Sequence, residues 1–243
     1  MVNKLVLTKT GDYSTEGKTK LAVVLIHGIA SDSSTYNKAI KYLREEKQIP
    51  GLRLVTFDLL GSGKSLSSDE LNYDYDDQLT ALSNSIAKLK LDVPVVLVGH
   101  SMGTFITTRY AAKHPKQIKK LILISPPVYT KEDLANPAMK VAIDGFSDAI
   151  SKKDPNVAKS KAFKNEMNLI VLDKDNYDCL ANIKLPTVLI YGELDRIIAS
   201  HNIPELVKGK DMFTVIKTPG THGILHDKYA KVAEVIEETL KEK

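Results

Sequence analysis

A chain of 243 residues with 43% hydrophobic and 26% charged side chains has the size and composition of one or two globular domains, which excludes disordered, collagen-like and simple coiled-coil architectures. Thirty-four Lys and Arg against 30 Asp and Glu leave a net charge of +4, mild and scattered along the chain, without the basic stripe of a nucleic-acid binder. A single cysteine, Cys179, excludes an internal disulfide and a Cys-rich zinc cluster, and fits a reducing compartment.

The first residues, Met1 to Lys4, lead into no signal-peptide core, and no run approaches the roughly 18 apolar residues of a membrane helix. A cytoplasmic protein without a membrane span is expected. Residues 3–9 alternate and predict an edge strand. Residues 21–26 are near-continuously apolar, as a strand buried on both faces should be. Residues 35–47 carry a helical stripe, residues 52–57 predict a strand, and residues 76–90 a helix. The strand–helix pair repeats at 95–98 and 102–113, and strands follow at 121–124 and 187–191. Residues 212–217 are a weaker strand and 228–241 the last helix. The Lys-rich stretches 113–120 and 151–164 predict solvated helix faces. Strands alternating with helices mean a mostly parallel sheet of seven or eight strands, covered by helices on both faces.

One stretch breaks the alternation. Pro126-Pro127 closes a strand, Leu185-Pro186 opens the next, and about 55 residues between them hold no strand pattern. Met139, Ile143, Phe146 and Ile150 fall at helical spacing, as do Phe163, Met167 and Ile170. Residues 1–127 and 185–243 are therefore expected to form an α/β core domain, with 128–184 a helical cap over the C-terminal ends of its strands, where open α/β sheets bind ligands. The alternative is extra helical packing on the sheet's flank. Under the cap reading, Met139, Ile143 and Phe146 line the substrate pocket.

The chemistry is carried by Gly99-His100-Ser101-Met102-Gly103, directly after the strand at 95–98 and directly before a helix. A Gly-x-Ser-x-Gly match alone is modest. Between strand and helix it has the context of a nucleophile elbow, with Ser101 held in a strained turn at a helix N-terminus. A serine hydroxyl needs a base. His27, His100, His114, His201, His222 and His226 are the candidates. His222 lies in Pro219-Gly-Thr-His-Gly223, a glycine-flanked loop after a strand, where a base must sit; His226 is its rival. The orienting carboxylate is expected at Asp195, just past the strand at 187–191, with Glu193 the rival. The chain order Ser101, Asp195, His222 is the one this kind of site uses. The tetrahedral oxyanion needs donors. These are expected from the amide of Met102 and from that of Ile29, in the His27-Gly28-Ile29-Ala30 loop.

These anchors, together with Asp58-Leu-Leu-Gly61-Ser-Gly63-Lys-Ser65, resemble the α/β-hydrolase fold superfamily, in its serine esterase-like branch with a helical cap. The resemblance covers about residues 21–126 and 185–243. Leu60, Thr104 and Ala199 depart from residues common there, and none of them removes a catalytic atom. A serine nucleophile argues against the branches that use aspartate for epoxides and haloalkanes. The resemblance then implies hydrolysis of carboxylic esters of small to medium acyl chains by a carboxylesterase-like enzyme acting as monomer or homodimer. It implies no cofactor, no metal and no nucleic-acid partner. Two alternatives stay open: the same triad on a lactone, thioester or carbon–carbon bond, and a ligand receptor or regulator with little catalysis.

Overall fold

Near-continuous apolar strands are stable only where both faces of a sheet are covered. The computed structural model describes residues 5–173 and 175–241, and among them seven strands form one sheet. They are β1 (Thr8–Ser14), β2 (Leu21–Ile26), β3 (Leu52–Asp58), β4 (Val95–His100), β5 (Ile118–Ile124), β6 (Thr187–Gly192) and β7 (Phe213–Thr218). Their order is β1-β3-β2-β4-β5-β6-β7. β1 runs antiparallel to β3 and every other pair is parallel. This is the α/β-hydrolase fold, with the smaller of the two expected strand counts.

Period-two geometry sorts β2 onto two cores. Ala22, Val24 and Ile26 join a cluster with Leu82 of helix α2 (Tyr75–Lys88) and Phe105 of α3 (Met102–Lys113). Leu21, Val23 and Leu25 join a second cluster with Ile40 of α1 (Asn37–Lys41) and Ile236 of the C-terminal helix, residues 229–241. Five of the six β2 side chains are fully buried, and Val23, Val24, Leu25 and Ile26 among them each stabilise the fold by roughly 1.5–3 kcal/mol relative to exposure.

Three sequence expectations shift. The strand expected at 3–9 begins at Thr8; Asn3 and Lys4 lie outside the described residues. The apolar residues that suggested it serve packing instead: Leu5 packs against the core, and Leu7 is buried with its N–H donated to Ser85 Oγ of α2 at 2.8 Å. The helix expected at 35–47 is a succession of a 3-10 turn (Ser33–Tyr36), α1, and a π turn (Tyr42–Glu46). The lysines of 113–120 do not lie on one helix face, because Ile118 already starts β5.

Topology places the site. From β2 the chain crosses to β3 on one side, and β4 returns on the other. The loops after β2 and β4 therefore diverge from adjacent strand ends, the crevice where such sheets bind ligands. Between β5 and β6 the described residues are helical: α4 (Lys131–Ala135), α5 (Pro137–Lys153), α6 (Pro155–Lys159), α7 (Lys161–Leu172) and α8 (Asp175–Ala181). Asn136 caps α5 and Asp154 caps α6, each followed by proline at the first helical position, where a missing N–H costs nothing. No residue of α5 is fully buried; Met139, Ile143, Phe146 and Ile150 are half-buried against the core. The last segment comprises α9 (Ile203–Val207), α10 (Ile224–Asp227) and α11 (Tyr229–Lys241). Among the described residues no helix is long and apolar enough to cross a membrane.

α7 docks through a buried carboxyl. Glu166 is 1% exposed, and Gln78 Nε2 donates to its Oε1 at 3.3 Å while exchanging two further hydrogen bonds with the Leu60 backbone. Burial raises the Glu166 pKa to about 8. The folded protein thus holds a proton that the unfolded chain releases near pH 4.3. Its contribution is complete below that value and is lost as pH rises through about 8. Denaturation of wild type should therefore show stability falling from pH 6 to 9 by on the order of 1–3 kcal/mol, and Glu166→Gln should flatten that slope. Equal slopes in the two proteins would contradict this assignment.

Candidate active site

β4 ends at His100 and α3 begins at Met102, so Ser101 alone makes the turn, at φ 51° and ψ −122°. A non-glycine residue held there costs about 1–3 kcal/mol and needs surroundings that impose it. Its N–H is bound to Ile124 O at 2.9 Å, and its carbonyl accepts the Thr104 N–H at 2.9 Å and the Thr104 hydroxyl at 2.6 Å. The flanking glycines are demanded by contact rather than by φ. A Cβ on Gly103 would stand 2.5 Å from the carbonyl oxygens of Ile26 and His27, and one on Gly99 2.5 Å from Gly103 O. Ala30, Ser101 and Ser125, just beyond the ends of β2, β4 and β5, all have positive φ. Such strain gathers where structure over-determines a site.

The residues expected as acid and base are carried by the segments after β6 and β7. Glu193 N–H bonds Thr218 O at 2.9 Å and Leu194 N–H bonds Gly220 O at 2.8 Å, tying the turn after β6 to the loop after β7. Asp195 is thereby brought to His222: Oδ2 accepts from Nδ1 at 2.8 Å, while Oδ1 accepts the Ile197 N–H at 3.0 Å. The Asp195 side chain is completely covered and that of His222 is 17% exposed. With Nδ1–H committed to the carboxylate, Nε2 is left as the accepting nitrogen. His222 and Ser101 line one cavity.

The rivals are placed elsewhere. Glu193 is half-exposed and faces Lys217 Nζ at 3.7 Å. His226 is exposed on α10, with its carbonyl bonded by Lys38. His114 stacks on Tyr110, and His201 pairs with Asp133 at the surface. His27 is buried: Nδ1 donates to Gly28 O at 2.7 Å and Nε2 accepts the Leu59 N–H at 2.9 Å. Burial lowers its pKa, so it remains a neutral clamp between the loops after β2 and β3.

The residues expected to supply the oxyanion donors lie beside Ser101. A Cβ on Gly28 would come within 2.9 Å of Ser101 Cβ, so this backbone packs directly on the serine. Ile29 lines the Ser101 cavity, and Met102 opens α3, where a backbone N–H has no partner within the helix.

Ile143 and Phe146 of α5 line that cavity. Met139 does not: it lines a neighbouring groove with Asp133 and His201, one turn too far toward the start of α5. Sequence reading had not placed Pro127, Tyr129, Met167, Ile170, Val171 and Ile197 at the site. Met167 and Ile170 belonged to a visible helical stripe, so their signal was present without a direction. Tyr129 carried none; its hydroxyl donates to Ile197 O, linking the exit from β5 to the segment after Asp195. The cavity is only ≈20 Å³, room for about one water. Among the described residues no three His, Cys, Asp or Glu side chains stand together as metal donors.

The family described as serine aminopeptidase, S33, matches over residues 17–177. Lipase 1 of Psychrobacter immobilis is 26% identical over 229 residues, covering 83% of this chain and 69% of that one. An esterase from Exiguobacterium antarcticum superposes with a TM-score of 0.71 at 21% identity, over 96% of this chain and 94% of the other. A bromoperoxidase from Bacillus anthracis gives 0.70 at 22% identity, over 96% and 94%.

Proposed function

The chain belongs to the S33 serine aminopeptidase family of α/β hydrolases, and from that premise we propose that it is a serine hydrolase cleaving carboxylic esters of small to medium acyl chains. The observation that carries this reading is the 2.8 Å pairing of Asp195 with His222, which shares a cavity with Ser101 on its strained elbow. Ser101 Oγ attacks the ester carbonyl as His222 Nε2 takes its proton. Asp195 stabilises the imidazolium, and the amides of Ile29 and Met102 hold the oxyanion. Collapse of the tetrahedral adduct breaks the ester C–O bond, and His222 returns the proton to the leaving alkoxide. Water, deprotonated by the same nitrogen, then releases the acid and regenerates Ser101.

The chemistry of the cavity's lining suits an ester better than a peptide N-terminus. Its lining is apolar apart from Ser101, His222 and the Tyr129 hydroxyl, and includes no carboxylate to pair with an α-ammonium group. A panel of p-nitrophenyl esters from acetate to decanoate, with fluorophosphonate labelling, tests the reading. Turnover with labelling of Ser101 supports it, and labelling without turnover of any ester contradicts it.

Residues 128–184 act in this reading as a cap. A cavity of one water's size must enlarge before an acyl chain enters. α5 has no fully buried residue and lies between Asn136-Pro137 and Asp154-Pro155, so its displacement exposes little core. Phe146→Ala should raise kcat/KM for hexanoate relative to acetate by on the order of tenfold, the worth of one or two methylenes. It should lower Tm by only a few degrees, because a half-buried ring lacks the ~3–5 kcal/mol of a core phenylalanine. Unchanged preference with a large fall in Tm would instead make Phe146 core packing.

A further inference from the structure

The nucleophile's neighbour is unused by this mechanism and is placed among all of its parts. His100 Nε2 lies 3.2 Å from the carbonyl oxygen of His222. A carbonyl only accepts, so Nε2 carries the proton and Nδ1 is the bare nitrogen. That Nδ1 is buried without a hydrogen-bond partner and faces the loop after β2, since a Cβ on Gly28 would stand 3.3 Å from it and 3.1 Å from His100 O. The His100 and His222 rings are 5.1 Å apart, tilted by 43°.

We propose that His100 is a positioning residue for the base, its Nε2–H holding the backbone of His222 against the nucleophile elbow. This rests on Ser101, His222 and Asp195 acting as proposed above. The side-chain bond to Asp195 fixes the rotation of the His222 ring, but the Pro219–Gly223 segment that carries it is a loop containing two glycines. A bond from His100 to the backbone of that loop removes the remaining freedom. It also explains why a buried nitrogen is left unpaired: the ring is oriented by what its other nitrogen donates. Burial and the neighbouring His222 hold the His100 pKa at about 3, so the ring stays neutral and does not oppose the imidazolium forming 5.1 Å away.

The test compares His100→Gln, whose terminal amide reaches the position of Nε2, with His100→Asn, which is polar but too short, and with His100→Leu, which has no donor. Each is assayed with p-nitrophenyl acetate beside wild type and Ser101→Ala, and its fold is checked by circular dichroism. His100→Asn should lose on the order of 10- to 100-fold in kcat with KM within about twofold, the effect of a base displaced by a fraction of an ångström to an ångström. His100→Leu should lose as much if it folds, and His100→Gln should recover most of the loss. Wild-type kcat in folded His100→Asn, or equal losses in Asn and Gln, would overturn the proposal. Full turnover in Ser101→Ala would instead overturn the triad, so the two failures are distinct.

Discussion

Ser101→Ala should lower kcat for every ester the protein turns over by about 10³-fold or more, with the fold intact. The nucleophile, base and acid act as a unit, so removing one forfeits nearly all that the three supply. What persists comes from the oxyanion donors and from binding. The Ser101 hydroxyl contributes little to the elbow, because the bonds that impose its φ of 51° all run through its backbone. Tm should accordingly stay within a few degrees of wild type. Near-wild-type turnover in purified Ser101→Ala would move the nucleophile elsewhere.

The acid and base should divide cleanly from their sequence neighbours. His222→Ala should cost about as much as Ser101→Ala. Asp195→Asn should cost on the order of 10⁴-fold, because an amide cannot select the tautomer with Nδ1 protonated or stabilise the imidazolium. Glu193→Gln should change kcat by less than about twofold, since an exposed pair with Lys217 contributes little. His226→Ala should be equally mild. Steady-state kinetics on the four variants decides this: a severe loss in Glu193→Gln beside an active Asp195→Asn would transfer the acid's role.

What the sequence disclosed follows from what is local. The central strands were legible because residues 21–26 and 121–124 are apolar on both faces, a pattern only a covered sheet produces. The elbow was legible because its geometry requires glycine two residues either side of Ser101, and the spacing records that requirement. The edge strand was misplaced because Leu5 and Leu7 imitate a strand while packing on the core, and the true strand is polar. The three-part helix at 33–46 was hidden because 3-10, α and π turns bury much the same stripe. Met139 lines the neighbouring groove rather than the Ser101 cavity, which the sequence does not show, because helical spacing gives a face but no position along the axis relative to Ser101. The bonds of His27, His100 and Glu166 reach partners 32 to 122 residues away, and the burial of His27 and Glu166 is tertiary, which no local pattern encodes.

The most direct test of the central claim is peptide mapping of the wild-type protein after reaction with diisopropyl fluorophosphate. A serine activated by His222 displaces fluoride and retains the phosphoryl group. The account predicts one label per chain, on the peptide containing Ser101, with esterase turnover lost in proportion to labelling and no labelling of His222→Ala under the same conditions. A label on another residue, or full turnover by protein completely labelled at Ser101, would contradict it.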